Sequence, residues 1–405
     1  MTKQSRDARR MPLDGVRVVC FGMGGAAPLA TATLGDFGAE IFKVEPRTGD
    51  WSRTTPGLGT REFNRNKKGI AIDLKHPDGI ALAKLMIATA DVVMESFRPG
   101  VMTRLGLGYE AVREVNPGIV YCSVSAYGQT GPWKDRPGVD GIIQAISGMM
   151  SVLGRDGDSP ADEPLKISFP AVDMTGGMLA VQGIMMALYA RERHGVGQHV
   201  DVSLLEGALV LQKSSLTRYL SSRKIPPKTG SRAPYATPNE AYRTKDGYIM
   251  LAAYTTDRWN ALCREVLGIP TLATDPRFQE RPTRQEHHRA LKEIIEGVLK
   301  ERTSAEWLEL CERHDLICAP INSYREVVEL EQIKAREAIQ TIAFPDGRTM
   351  ETVAPVPRLS ETPGAIRSPY PSQIGEHTRE ILEAVGLSGE EIARLQADGV
   401  IGMQS

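Results

Sequence analysis

The chain has almost no net charge, few cysteines and few aromatic residues. Its 49 Lys and Arg residues face 50 Asp and Glu residues, a formal net charge of −1 over 405 residues. That balance removes the electrostatic case for nucleic acid as the main partner, which would need an excess of cations. The five cysteines (Cys20, Cys122, Cys263, Cys311, Cys318) are odd in number and widely scattered. They exclude a disulfide framework and fit reduced thiols, so the expected location is cytoplasmic. The opening stretch MTKQSRDARRMPLDG lacks the apolar core of a secretory signal. No uncharged apolar run is expected to reach the roughly 18 residues that suggest a membrane span, so no membrane partner is expected either. Repeats and long low-complexity tracts are also missing, which sets aside solenoids and fibrous chains.

What remains is an ordinary globular composition, 24% charged and 41% hydrophobic. The length predicts two or three domains. A zinc site in CERHDLIC was weighed, because Cys311, His314 and Cys318 fall on one helical face at i, i+3 and i+7. A structural site wants four ligands and no fourth is near in sequence, so no metal is expected. The pair in QEHH at 285–288 reads as a solvated helix face.

The first quarter alternates strand and helix signals. Val16–Cys20, AEIFKVE, GIAIDL, DVVMES and GIVYCSVS read as strands, separated by helical stretches such as HPDGIALAKLMIATA. Such alternation predicts an α/β layer with parallel strands. Helices are expected at about 139–152 and 174–193. A polar, proline-rich connector, SRKIPPKTGSRAPYATP, covers 222–238. The expected organisation is a large α/β domain over 1–221, a linker over 222–238 and a small α/β domain over 239–325. Residues 326–405 then form a second connector and a C-terminal part returning to the large domain. The stretch after about 340 reads as irregular, and 376–398 as a short amphipathic helix pair.

Two features carry chemistry. Gly22-x-Gly24, with Ala27 at the third small position and Glu45 ending the next strand, approaches a dinucleotide-binding fingerprint. Pro28 behind the third position, and Lys43 and Pro46 beside the acid, argue for a plain tight turn instead. An NAD-dependent oxidoreductase is therefore a distant alternative. The second feature is SFPAVDMTGGMLAVQG, where one carboxylate, Asp173, precedes a glycine pair and a long small-residue run. From this segment alone Asp173 reads first as a helix cap, with a reactive group the alternative.

Seven segments in register resemble the family III CoA-transferases, the CaiB/BaiF family that also holds the α-methylacyl-CoA racemases. They are LDGVRVVCFG, LGDFGAEIFKVEPRTGD, NRNKKGIAIDLKHPDG, ESFRPGVMTRLGLGYEAV, NPGIVYCSVSAYGQTGP, AVDMTGGMLAVQGIMMAL and GQHVDVSLLEGAL. The resemblance implies a large Rossmann-like domain and a small domain in an interlocked homodimer. It implies transfer of CoA from an acyl-CoA donor, succinyl-CoA being one, to a small carboxylic acid, with a dicarboxylate the mild preference. No tightly bound cofactor is implied; the coenzyme A thioester is substrate. Asp173 stands at the family's nucleophile, which forms an acyl-aspartyl anhydride and then an aspartyl-CoA thioester. Gly176 and Gly177 fit beside it as oxyanion donors. Gly25 stands where the formyl-CoA/oxalate enzymes carry glutamine, which weakens an oxalate assignment. CoA contacts fall on Ile72, as an apolar shelf, and on Lys75, Ser96, Phe97, Arg98 and Arg104. Arg232, Arg243 and Arg258 are candidate partners for a second substrate carboxylate. The closest rival is racemase-like proton transfer, which needs a histidine where Val139 stands in Gly138-Val139-Asp140. A non-catalytic CoA-binding scaffold would not need to keep Asp173 and its glycines.

Overall fold

A computed structural model describes residues 10–54, 62–157 and 163–403. It divides into two compact units. The first runs up to Met149, takes in Lys166–Thr217 and resumes from Ala335; the second is Met150–Leu165 with Arg218–Lys334. The second unit thus includes a segment around Gly154 that the sequence reading put in the first.

The first unit is built on a seven-stranded sheet. Its strands are β1 (Arg17–Cys20), β2 (Glu40–Glu45), β3 (Lys67–Ile72), β4 (Val92–Glu95), β5 (Val120–Ser125), β6 (Gln198–Ser203) and the two-residue strand Ile401–Gly402. The order is Ile401–Gly402, β3, β2, β1, β4, β5, β6. β1 to β6 are parallel, and only the Ile401–Gly402 edge is antiparallel. The central strands read as continuous apolar runs (RVVC, VVME) because helices cover both faces, leaving no solvent side for polar residues. Val18, Val19, Cys20, Val92, Val93 and Met94 are fully buried.

The connecting helices are α1 (Ala26–Asp36), α2 (Pro77–Ala88), α3 (Val101–Arg104), α4 (Tyr109–Val115), α5 (Asp140–Ile146), α6 (Met149–Val152), α7 (Ala171–His194) and α8 (Leu204–Leu211). α2 starts where it does because Pro77 suits its first position and the His76 imidazole accepts the Asp78 N–H at 3.1 Å. Strand order reverses direction between β1 and β4. A crevice outside the carboxyl ends of these two strands is where open α/β sheets bind ligands.

α7 is the longest helix, at 24 residues. It starts three residues earlier than the sequence predicts, so Asp173 lies within its first turn and not before it. The run after Asp173 also corrects the expectation about apolar stretches. α7 is long and apolar enough to cross a bilayer, although half of its apolar stretch is buried inside the protein. It packs on α1 and α8 through glycines. A Cβ on Gly176 would lie 2.4 Å from Leu204 Cδ2, and one on Gly177 would lie 2.9 Å from the Ala26 carbonyl oxygen. Both are therefore close-approach positions.

The second unit has a three-stranded antiparallel sheet of β7 (Asn239–Arg243), β8 (Tyr248–Ala252) and β9 (Ile317–Pro320). Trp259, Trp307, Tyr242 and Phe278 fill its core. Cys311 also belongs to that core, fully buried. In the C-terminal part, Ile339–Ala343 and Thr349–Val353 pair as an antiparallel hairpin where the sequence reading saw irregular chain. The helix pair at the end is observed at Thr378–Ala384 and Gly389–Ala397.

The α1–α7 crossing generates the first prediction. Gly177→Val places side-chain atoms against the Ala26 backbone, which cannot rotate away. Overpacking of this kind costs about 1–3 kcal/mol. A urea unfolding midpoint lowered accordingly, at unchanged slope, is the expected result.

Candidate active site

Three loops meet at the carboxyl ends of β1, β4 and β5. After β1 comes Gly22–Gly25, where Gly24 has φ +78, a left-handed conformation that glycine adopts without cost, with the Trp51 ring 2.9 Å from where a Cβ would be. The loop is pinned from below: the buried Lys43 ammonium donates to the Gly22 carbonyl and, at 2.9 Å, to Asp50. From β4, the Ser96 hydroxyl accepts the Met23 N–H at 3.2 Å. From β5, Ser125 and Ala126 lead into the Gly128–Gly138 loop.

Asp173 reaches this junction from the first turn of α7. A Cβ built on Gly25 would lie 2.6 Å from Asp173 Oδ2 and 3.1 Å from its Cγ. The carboxylate thus rests directly on a glycine backbone, and any side chain at position 25 would displace it. Among the described residues no hydrogen-bond donor to the Asp173 carboxylate is recorded. Half-buried and unpaired, its pKa is pushed up to about 6, first by loss of water and then by the negative charge of Asp140.

Asp140 is the cap that α7 lacks in its own sequence. Pro170 stands at the N-cap position and makes no side-chain bond. Instead Asp140 Oδ2 accepts the N–H groups of Val172 at 2.8 Å and of Asp173 at 3.2 Å. Asp140 Oδ1 accepts from Gln144 Nε2 at 2.6 Å, and the fully buried Gln144 also accepts the Ile167 N–H at 2.8 Å. Sequence reading named Asp140 only as part of the Gly138-Val139-Asp140 triplet, with no role of its own, and missed Gln144. The available signal was an Asp and a Gln four apart, on one face of a helix, directly after the Gly-Val pair.

A cavity of about 210 Å³ opens beside the Ser96 turn, lined by Ser96 to Pro99, Ser125, Ala126, Lys134 and Arg136 to Val139. Ser125 Oγ is buried there with no partner among the described residues. Arg98, Lys134 and Arg136 are exposed and enter no recorded ion pair among the described residues; Arg136 lies over the Trp133 ring at 4.5 Å. Three cations and a free hydroxyl suit an anionic ligand. The turn itself is fixed by Glu95, which accepts the Phe97 N–H at 2.8 Å and whose burial pushes its pKa up to about 7. Lys134, Arg136 and Glu95 were not anticipated.

Several expected residues sit elsewhere or do something else. Gly176 and Gly177 lie inside α7, where backbone N–H groups are spent on carbonyls four residues back, so they are not oxyanion donors. Ile72 is 1% exposed and belongs to the core, so its side chain offers no shelf. Lys75 is exposed on the turn between β3 and α2, and Arg104 is exposed at the end of α3. Ser96, Phe97 and Arg98 line the cavity as a group. In the second unit, Arg232 is buried 3.6 Å from Asp156, and Arg258 is bonded to Asp315 at 3.1 Å. Glu45, the acid of the dinucleotide fingerprint, is buried and clamped by Arg53 at 2.7 Å, so no free acid awaits a ribose. Val139 is 67% exposed at the cavity wall, where a racemase would need its histidine.

Against this geometry, the model of "CoA-transferase family III" matches residues 13–378. The chain belongs to CoA-transferase family III. It is similar to the succinyl-CoA–D-citramalate CoA-transferase of Chloroflexus aurantiacus, 35% identical over 96% of this chain and 98% of that one. It is 34% identical to the succinyl-CoA:glutarate CoA-transferase of Mus musculus, over 96% of this chain and 90% of the other. The crystal structure of a CaiB/BaiF family protein from Brucella suis superposes with TM-score 0.81 at 31% identity, covering 93% of this chain and all of that one. As a family III member, the protein is an enzyme that transfers CoA between acyl-CoA and carboxylic acid substrates. Its mixed α/β fold with a large parallel sheet is that of the family.

The raised pKa of Asp173 has a consequence for stability. A carboxyl whose folded pKa exceeds its unfolded value is bound to its proton more tightly when folded. That contribution is present at low pH and is lost as pH rises through about 6. At pH 8 the ionised Asp173 therefore burdens the fold, by at most about 3 kcal/mol at 1.36 kcal/mol per unit. Asp173→Asn is expected to raise Tm at pH 8, to keep roughly half of that advantage at pH 5 and to lose it only below about pH 4, under the unfolded value, in thermal melts of both proteins.

Proposed function

We propose that Asp173 is the nucleophile of a CoA transfer between succinyl-CoA and a small dicarboxylic acid. The observation that carries this reading is the Asp173 carboxylate itself: half-buried, unpaired, and bare against the Gly25 backbone at the crevice of the sheet. A structural carboxylate in such a place would have a cation or several donors. An unpaired one with a raised pKa is a stronger base, and hence a better nucleophile, than an exposed aspartate.

The chemistry balances without ATP, metal or redox partner. A carboxylate oxygen of Asp173 attacks the thioester carbonyl of the donor. The C–S bond breaks and CoA leaves as thiolate, giving a mixed anhydride. The thiolate then attacks the aspartyl carbonyl, releasing the donor acid as carboxylate and leaving an aspartyl-CoA thioester. The acceptor carboxylate attacks that thioester carbonyl, and the thiolate returns to the acceptor's acyl carbon. Asp173 is regenerated. Arg98, Lys134 and Arg136 supply the cationic wall for the phosphates of CoA. Lys75, on the turn after β3, and Arg104, at the end of α3, are exposed and are assigned to the same ligand.

Relatives named for transfer from succinyl-CoA to D-citramalate, glutarate and L-malate support a dicarboxylate acceptor. Gly25, lacking a side chain over Asp173, supports a roomier acyl site than one filled by glutamine. Val139 supports transfer over racemisation, since valine exchanges no proton. The homodimer of the family III type is part of this reading. Met178, Met186 and Tyr189 leave one side of α7 apolar and more than half exposed, a face that association would cover. No tightly bound cofactor and a cytoplasmic location complete it.

Intact-protein mass after mixing with succinyl-CoA tests the nucleophile. Wild type is expected to gain a covalent adduct that hydroxylamine converts to a hydroxamate at residue 173, and Asp173→Ala to gain none. α-Proton exchange into deuterated water with no adduct would instead favour racemase-like chemistry. For the cavity, Arg136→Ala is expected to raise KM for acyl-CoA about tenfold, one charge-assisted contact being worth about 1.5 kcal/mol or more, with kcat nearly unchanged in steady-state assays.

A further inference from the structure

We propose that Asp140, locked by Gln144, is a positioning residue that also drives acylation: its fixed negative charge opposes the free Asp173 carboxylate and favours the neutral acyl-aspartate stages. This inference rests on the reading of Asp173 as nucleophile.

The geometry comes first. Asp140 belongs to α5, and it bonds the backbone N–H of the very residue whose side chain it repels. Every contact to its carboxylate is from a donor: Val172 N–H and Asp173 N–H on one oxygen, Gln144 Nε2 on the other. Such a set fixes the orientation of both carboxylate oxygens. Gln144 is completely buried and cannot turn away, because its other contacts are the N–H of Ile167 and, at 3.3 Å, the Ile167 carbonyl. The Asp140 carboxylate is therefore held in one place beside Asp173. Asp173 meets it with no donor of its own.

Other charges do not replace it. The elements packed on α7 are α1, α5, α8, β5 and β6. α1 carries Asp36, which is taken up by Arg65 and Asn66. β5 carries Tyr121 and Cys122, both kept protonated by burial. β6 carries His199 and Asp201, and α8 carries Glu206. Of all these groups, Asp140 is the one whose charge bears on the ionisation of Asp173.

The consequence follows from charge alone. The free Asp173 carboxylate carries one negative charge beside Asp140. The anhydride and the aspartyl-CoA thioester carry none at that position. Formation of either removes the repulsion, and release of Asp173 restores it. Asp140 thus raises the resting enzyme relative to its covalent stages while its hydrogen bonds aim the carboxylate.

The test is single-turnover acylation by succinyl-CoA, read by intact mass, from pH 4.5 to 8 for wild type, Asp140→Asn and Asp140→Glu. Asparagine keeps an acceptor for the α7 N–H groups and removes the charge. It is expected to move the acid limb to lower pH by about one unit, to slow the high-pH plateau about tenfold and to lower the equilibrium fraction of adduct. Glutamate keeps the charge and is expected to bring the limb back. A slower plateau with an unmoved limb in Asp140→Asn would show a scaffold role only and overturn the proposal. If that variant does not fold, a limb for Asp140→Glu below that of wild type overturns it equally. Absence of adduct on wild type is a separate result: it removes the nucleophile reading, and this inference with it.

Discussion

Everything at the site depends on how closely α7 can cross α1 and α8. Asp173 touches the Gly25 backbone because the two helices behind it meet through Gly176, Gly177 and Ala26, with almost no side chain between them. Leu204 fills the space where a Cβ of Gly176 would be. Small residues bury little apolar area each, so this crossing contributes less hydrophobic stabilisation than a Leu-rich one would. What it provides is distance: the first turn of α7 is carried to the end of β1. Larger residues would hold the helices apart, and a carboxylate is too short to close the gap.

The electrostatics divide into two kinds. Beneath the glycine loop, three buried carboxylates have cationic partners: Asp50 with Lys43 at 2.9 Å, Glu45 with Arg53 at 2.7 Å, and Asp36 with Arg65, helped by Asn66. Buried pairs of this kind add little net stability after desolvation. They specify the path of the loop, since Lys43 also holds the Gly22 carbonyl and Asp50 accepts the Ser52 N–H. Asp173 is of the other kind. Among the described residues no donor reaches its carboxylate, and the charge that bears on it, that of Asp140, has the same sign. The contrast argues that the surrounding network exists to place an uncompensated group, and that leaving Asp173 unpaired is not an accident of a loosely packed region.

Much of this was legible in the sequence, and the failures have identifiable causes. The parallel core was readable because strands buried on both faces leave uninterrupted apolar runs. Asp173 was readable through its resemblance to a family motif; its cap was not. The N-cap of α7 comes from Asp140, 33 residues away, and no local pattern encodes a cap supplied from another helix. Gly176 and Gly177 were assigned to chemistry because glycine beside a carboxylate has two physical uses, close packing and oxyanion binding. Only the start of the helix, at Ala171 and not after Asp173, decides between them. Ile72 was carried over as a shelf from the family resemblance alone, yet its side chain is buried in the core. The hairpin Ile339–Ala343 with Thr349–Val353 was lost in a proline-rich stretch, although Asp346-Gly347 between two β-forming runs is a strong hairpin signal.

Under the proposed mechanism, aspartate as the covalent group has its own logic. Exchange of CoA between two carboxylic acids begins and ends with a thioester and a free carboxylate, so the overall free-energy change is small. The intermediates must then be neither much higher nor much lower than the ends, or one half of the exchange would stall. An acyl-aspartyl anhydride is inherently costly and an aspartyl thioester is comparable to substrate. A resting carboxylate that was well hydrated or ion-paired would sit far below both. Loss of water and a like charge raise the resting state toward them, and a pKa near 6 still leaves Asp173 ionised at neutral pH. A more buried aspartate would stay protonated and inert; a more exposed one would rest too comfortably to be acylated. The intermediate burial of Asp173 therefore places it between these two limits, where one carboxylate can serve as nucleophile and as leaving group in the same cycle.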